Sequence, residues 1–330
     1  MVLVMFDELD LKILDELYSR GWQRATVLAS ALGVGERTIY RRIRNMRRKG
    51  IFDTIPVPNP VLLGYKAWAN IGIKVSPGYL YNVVRNLLRQ NSIYGVHLCL
   101  GRFPIMAVVM FETFDMLTFF VNSELQAIEG IRSIETLPYI YPRKYYQFFW
   151  PAPSFRKTAA GWERCPDVAN NDFYQIDEIN QKILNVLIHE GITRPASLKS
   201  RLGIGEGTIR RRLNKMLDGG LFEIEVVLNP ALSPYEVWPI MGINIEERSA
   251  HEVIDDLLKK QAVYLASVSI GRFDIIIGAR FHNMDLLTHF VNIELPAIKG
   301  VASVETFLAI RTLKYHGIDW SYLMDEHTVI

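Results

Sequence analysis

A chain of 330 residues is too long for one ordinary domain and long enough for two to four. Nearly half of it is apolar and 22% is charged, the balance of a soluble globular protein, and no run reaches the roughly 18 uninterrupted apolar residues of a membrane span. A net charge of +2 excludes a general polycation, so nucleic-acid contact requires basic residues gathered in one place.

The opening stretch, MVLVMFDELDLK, places no basic residues before its short apolar run and acids directly after it, which does not read as a secretion signal. The two cysteines, Cys99 and Cys165, give neither a disulfide framework nor a zinc-ligand spacing. A cytoplasmic location is expected. From Ile13, Leu14 and Leu17 a first amphipathic helix is predicted, capped by Asp7 or Asp10. A second, shorter helix spans Thr26 to Leu32 and stops at Gly33. A third runs from Glu36 to Lys49 and stops at Gly50. Two short helices around a glycine-bearing turn have the form of a helix-turn-helix.

After Asn59 and Pro60 the periodicity changes. A strand is predicted from Trp68 to Val75 and a helix from Tyr79 to Arg89. Strands Ile93 to Leu100 and Ile105 to Phe111 follow, joined through Gly101-Arg102-Phe103. A helix from Leu117 to Ala127 and a last strand from Ile134 to Ile140 complete a ferredoxin-like βαββαβ unit.

The whole pattern then repeats at a constant offset of 170 residues. Lys12-Ile13-Leu14 falls on Lys182-Ile183-Leu184, Thr38-Ile39 on Thr208-Ile209, Gly101-Arg102-Phe103 on Gly271-Arg272-Phe273, and Trp150 on Trp320. Roughly a third of the positions from Leu9 to Trp150 recur without a gap, the mark of a tandem duplication. The expected organisation is an α+β chain of two winged-helix/helix-turn-helix and ferredoxin-like pairs. Residues 1–55 and 176–225 form the helical domains, 56–150 and 226–330 the α+β domains, and 151–175 a linker rich in proline and small residues.

The third helix carries the functional signal. At 100° per residue, Ile39, Ile43 and Met46 share one face, while Arg37, Arg41, Arg44 and Arg48 occupy the opposite one, flanked by Thr38, Tyr40, Arg42, Arg47 and Lys49. Guanidinium forks fit phosphate oxygens and the acceptor edge of guanine, so this face suits double-stranded DNA. A charged face can also be merely solvated, but this one has four arginines and no acid. In the second copy Ile209, Leu213 and Met216 repeat the buried face. The outward set becomes Gly207, Arg211, Asn214 and Asp218, with Thr208, Arg210, Arg212 and Lys215 at the flanks. Copy one is therefore expected to supply most of the DNA affinity, and the DNA site to be asymmetric rather than palindromic.

The order of elements, the segment GERTIYRRIRNMRRKGIF, the Gly-Arg-Phe turn, and the paired segments EGIRSIETL and KGVASVETF together resemble the Lrp/AsnC (feast/famine) transcription regulators. The resemblance covers Asp7 to Trp150 and Asp177 to Trp320. It implies α+β domains that pair face to face and assemble further, with an amino acid or related metabolite bound between them. The implied effector residues lie at the turns, Gly101, Arg102 and Phe103 and Gly271, Arg272, Phe273 and Asp274, and on the last strands, at Thr136 and Thr306. Copy one departs from the pattern, since Pro104 replaces the acid of the turn, so an amino-acid ligand suits copy two better. Fusion lets one chain supply both halves of the usual dimer.

Other features point to no chemistry. The histidines His97, His189, His251, His282 and His289 are scattered without a three-ligand spacing, so no metal or other cofactor is expected. The aromatic run from Tyr139 to Trp150 suits packing better than base stacking. No catalytic set appears, and an enzyme is not expected. The competing reading is a haem-precursor decarboxylase of the kind that resembles this family. Against it, only His97 occupies the strand where that branch is rich in histidine, and Ser267 stands there in copy two. A metabolite-binding assembly protein without DNA binding is the third reading.

Overall fold

A computed structural model describes residues 7–20, 25–59, 65–145, 148–149, 155–158, 161–164, 176–190, 195–228, 237–315 and 318–319. Trp150, Cys165 and Trp320 lie outside these residues, as does the side chain of His189.

The chain opens with α1 (Glu8–Arg20), α2 (Ala25–Leu32), α3 (Glu36–Arg48) and β1 (Phe52–Pro58). Next come β2 (Ala67–Val75), α4 (Leu80–Arg89), β3 (Ile93–Leu100), β4 (Ile105–Phe111) and α5 (Phe114–Phe119), which runs into a π-turn at Phe120–Leu125. Then follow β5 (Ile131–Tyr139), β6 (Tyr141–Tyr145) and β7 (Phe148–Phe149). A hairpin of β8 (Phe155–Thr158) and β9 (Gly161–Arg164) occupies part of the segment read as a linker. The second copy contains α6 (Glu178–Glu190), α7 (Pro195–Leu202), α8 (Glu206–Asp218), β10 (Phe222–Leu228), β11 (Trp238–Ile245), α9 (Ala250–Leu257) and β12 (Val263–Val268). It ends with β13 (Ile275–Ala279), α10 (Met284–His289), a π-turn at Phe290–Glu294, β14 (Val301–Tyr315) and β15 (Ile318–Asp319).

These elements do not group copy by copy. One compact unit joins Met1–Asn59 with Tyr174–Pro234, and the other joins Pro60–Phe173 with Tyr235–Ile330. Each helical region in the first unit takes in the strand that follows its third helix.

In the helical unit, Asp7 caps α1 by accepting from the Asp10 N–H at 3.0 Å, and Asp177 does the same for α6 with the Asn180 N–H at 2.8 Å. Ile13, Leu14, Leu17, Leu28, Ile39 and Met46 are buried among the three helices, and Ile183, Leu184, Leu187, Leu198, Ile209 and Met216 repeat that core. Fully burying one such side chain contributes about 1.5–3 kcal/mol, which is how helices of 8 to 13 residues hold together despite their short length. The two copies meet through β1 and β10, an antiparallel ladder running from Phe52 opposite Leu228 to Pro58 opposite Phe222. Both strands of this ladder are edges, so Pro56 and Pro58 can turn their missing donors away from the partner.

In the sheet unit the strand orders β5-β2-β4-β3 and β14-β11-β13-β12 are those of two ferredoxin-like sheets. Left alone, β3 and β12 would be open edges. Each is covered by the far end of the other copy's last strand: β14 pairs with β3, and β6, which continues β5 past Ile140, pairs with β12. Equivalent lysines fasten both joints. Lys144 donates to the Val263 carbonyl at 2.6 Å, and Lys314 donates to the Gln90 carbonyl at 2.9 Å. On the outer face of each sheet, helices α4 and α5, or α9 and α10, cover an apolar core that includes Ile71, Val83, Leu87 and Ile105, or Ile243, Val253, Leu257 and Ile275.

Candidate nucleic-acid interface and the paired turns

The turn between α2 and α3 is set by Gly33, whose φ of +66° lies in the left-handed region that side chains other than glycine rarely adopt. Gly203, at φ +69°, repeats it. From this turn α3 leaves with Ile39, Ile43 and Met46 buried against the helical core. The opposite face then has to be exposed. Arg37, Arg41, Arg44 and Arg48 are all exposed, with Tyr40 64% accessible beside them. None of these four arginines makes a hydrogen bond or ion pair among the described residues. Elsewhere in the same unit surface cations have acids one turn away, as in Lys12–Glu8 at 2.6 Å and Lys182–Glu178 at 2.7 Å.

Arg42 belongs to a different group. Although it was named among the DNA-facing residues, it is half-buried and turned toward α1, with Nη1 2.5 Å from Asp7 and 3.3 Å from Asp10. Its copy, Arg212, bonds Asp177 at 2.5 Å and Asn180 at 2.9 Å. The Asp10 N–H, with Arg42 beside it, holds the Asp7 carboxyl below the usual range, and Arg212 does so first of all for Asp177. This pair of arginines fixes the third helix of each copy on the first. Arg210 is also engaged, with Glu206 at 2.6 Å, whereas Thr208, Arg211, Asn214 and Lys215 lie on the outer side of α8 or at its margin. Arg47 and Lys49 are exposed at the C-terminal end of α3, and Thr38 is half-exposed at its start. Six arginines against Glu36 leave +5 on α3, and four cations against Glu206 and Asp218 leave +2 on α8.

The effector residues implied by the resemblance lie in the sheet unit, and the fold brings turns from both copies together. Gly101 and Gly271 take φ of +111° and +102°. Phe103 and Phe273 fold back over Gly72 and Gly242, where a Cβ would overlap each ring, so both are buried. Phe307 touches both rings, with centroids 5.7 Å from Phe103 and 6.0 Å from Phe273. Arg102 pairs with Glu135 at 3.2 Å and Arg272 with Glu305 at 2.5 Å, while Arg272 also reaches Glu135 of the other copy at 3.7 Å. A Cβ on Gly101 would meet only the Thr306 carbonyl oxygen, at 3.8 Å, whereas Thr136 is half-buried on β5. Asp274 has a partner within the chain: its Oδ2 accepts from the Ile245 N–H at 2.9 Å and closes the turn against β11. Pro104 has no carboxylate with which to do this in copy one.

Other candidates resolve into the fold. Burial lowers the His97 pKa to about 4, and its Nδ1 lies 3.0 Å from the Thr312 hydroxyl. Burial likewise raises the Cys99 thiol to about 12, which keeps it protonated and unreactive. Tyr139 packs edge-on against Trp68, 6.5 Å between centroids. Among the described residues no three His, Cys, Asp or Glu side chains are grouped as a metal site would need, and no helix is long and apolar enough to cross a membrane. Sequence reasoning missed Asn70. It is fully buried on the face of β2 that carries Gly72, with neither amide atom hydrogen-bonded among the described residues, and copy two has Ile240 there. Its only signal in the sequence was this difference between copies.

The fold and its surfaces define a duplicated α+β protein with two joined ferredoxin-like halves and one strongly basic helix. The Lrp/AsnC ligand binding domain family matches it twice, at residues 69–146 and 240–318. The chain thus carries the Lrp/AsnC ligand binding domain in two copies, one in each α+β half. An uncharacterized HTH-type transcriptional regulator of Pyrococcus abyssi is 26% identical over 149 residues, 45% of this chain and 94% of that protein. The HTH-type transcriptional regulator FL11 of the same organism is 24% identical over 140 residues, 42% of this chain and 92% of FL11. Over nearly its full length the fold is similar to that of the siroheme decarboxylase NirDL, with a TM-score of 0.56, 14% identity and 93% of each chain covered.

Proposed function

We propose that the protein is a sequence-specific transcription regulator that binds double-stranded DNA through its helix-turn-helix units, chiefly that of copy one. The observation that carries this is the outer face of α3, four exposed arginines with no partner among the described residues. Leaving such a face unneutralised serves no purpose in the fold, whereas a major groove supplies phosphates and guanine edges to it. Single-copy relatives named as HTH-type regulators support the reading. The two matches to a ligand binding domain support a small-molecule effector, an amino acid or related metabolite, at the paired turns. On this reading the chain acts in the cytoplasm, without enzymatic activity, and self-associates through its sheet unit.

The test is fluorescence anisotropy with duplex from upstream of its own gene, across a salt series. Wild type is compared with a variant in which Arg37, Arg41, Arg44 and Arg48 are alanine. Tight, steeply salt-dependent binding by wild type alone supports the proposal, and equal binding by both proteins refutes it.

A second reading, haem-precursor decarboxylation, draws on the full-length fold likeness to NirDL. His97 bonded to Thr312, and Ser267 donating to the Val268 carbonyl at 2.9 Å, leave it without a matched pair of histidines. A tetrapyrrole absorption band in the purified protein, with no DNA binding, would favour this second reading.

A further inference from the structure

Resting on the DNA-binding reading, we infer that the two third helices read different base pairs at two defined positions, so the chain lies on its site in one orientation only. The two helices are held in the same way. Equivalent side chains form their buried faces, and Arg42 with Asp7, or Arg212 with Asp177, fixes each to the first helix of its copy. The β1–β10 ladder places both copies in one compact unit. Residues 170 apart therefore present themselves to the same level of their half-sites, and what differs is the side chain.

Arg41 and Arg211 are both exposed arginines, so both half-sites carry a guanine at that level, the base whose O6 and N7 accept a bidentate guanidinium. One turn further on, Arg44 is replaced by Asn214, also exposed. A carboxamide pairs with adenine N6 and N7 as a guanidinium does with guanine, so this level holds guanine in one half-site and adenine in the other. One turn earlier, the position of Arg37 is taken in copy two by Gly207, which has no side chain to read anything. Guanine is selected under Arg37, and any base is accepted under Gly207. Arg210 takes the place of Tyr40 rather than of Arg37, and pairs with Glu206 at 2.6 Å on the surface of α8. At the far end, Arg48 attracts phosphate where Asp218 repels it. The target is a pair of half-sites sharing one guanine and differing on either side of it.

The experiment is selection from a randomised duplex library with the full chain, for wild type, Asn214→Arg, Gly207→Arg with Asn214→Arg, and Arg44→Asn. Wild type should yield a non-palindromic consensus with a shared guanine in each half. Asn214→Arg should turn the adenine of one half into guanine and leave the rest unchanged. Adding Gly207→Arg should create a further guanine preference in that same half. Arg44→Asn, the reciprocal change, should turn guanine into adenine in the other half. On a fixed duplex, replacing that adenine by guanine should weaken wild type roughly tenfold and leave Asn214→Arg unharmed. A palindromic wild-type consensus, or a consensus unmoved by all three variants while binding stays salt-dependent, overturns this inference and leaves the DNA-binding reading standing. No enrichment by wild type overturns both.

Discussion

The third helices of the two copies share a buried face and a salt-bridge pin, but their outer faces have parted. On α3 the outward positions are Arg37, Arg41, Arg44 and Arg48, whereas on α8 they are Gly207, Arg211, Asn214 and Asp218. The buried positions and the salt-bridge pin that hold the helix to its neighbours are kept in kind, whereas the outward charges of Arg37, Arg44 and Arg48 are lost or reversed on α8. The comparison separates what the domain needs to fold from what it needs to touch something else. On the proposed reading the outer arginines of α3 serve a partner, whereas Arg42 and Arg212 pin their helices within the fold.

The largest expected effect breaks that comparison directly. With Arg37, Arg41 and Arg44 on guanine edges and Arg48 on phosphate, as proposed, replacing all four by alanine should cost at least two orders of magnitude in affinity near physiological salt and lower the slope of log affinity against log salt by about one unit. Asp218→Arg should instead tighten binding and steepen the slope by about one unit. Anisotropy titrations at several salt concentrations measure both.

In the sheet unit the copies should behave alike where they are alike. Phe103→Ala and Phe273→Ala should each destabilise by about 3–5 kcal/mol, since both rings are buried over a glycine and against Phe307. A denaturant midpoint that moves for one and not the other would show that the turns are not equivalent.

Where the copies differ inside the core, swapping residues should be informative. Among the described residues Asn70 is buried without a hydrogen-bond partner, and copy two solves the same position with Ile240. Asn70→Ile should stabilise the sheet unit by about 1–3 kcal/mol in equilibrium unfolding, because it removes an amide that burial has desolvated. Loss of stability would mean that the amide has a partner worth keeping.

The smallest effect concerns pH. Burial, with Arg280 as a second cause, pushes the Lys144 ammonium down to about 8, below its unfolded value. Between about pH 8 and about pH 10 the unfolded chain holds a proton that the folded chain has released, so stability should rise with pH across that window. The rise should disappear in Lys144→Met, as followed by urea unfolding at several pH values.

Much of this was legible in the chain itself. The predicted strands Ile93 to Leu100 and Ile105 to Phe111 match β3 and β4 at both ends, and the third helix ends within one residue of its prediction. Its buried face of Ile39, Ile43 and Met46 is also as periodicity placed it. The strand β1 was missed because Phe52–Pro58 contains two prolines, a composition that argues against a strand unless it lies at an edge. The second helix of each α+β unit starts earlier than expected, at Phe114, because the Thr113 hydroxyl accepts from the Met116 N–H at 3.2 Å and caps it there. Beyond Phe119 the helix widens into a π-turn, which hydrophobic spacing does not reveal.

The sequence by itself determined the duplication, the βαββαβ order and the basic face of α3. The duplication shows in residue identities alone, and the order and the basic face rest on residues a few positions apart, where helical and strand periods and left-handed glycines act locally. Tertiary structure decided that Arg42 pairs with Asp7 and Asp10, that Asp274 closes its own turn, and that the two copies complete one another's sheets. Those contacts join residues about 30 to more than 200 positions apart. Such pairings depend on where packing brings the chain, because a side chain's partner is fixed by position in space and only its capacity to bond is fixed by its identity.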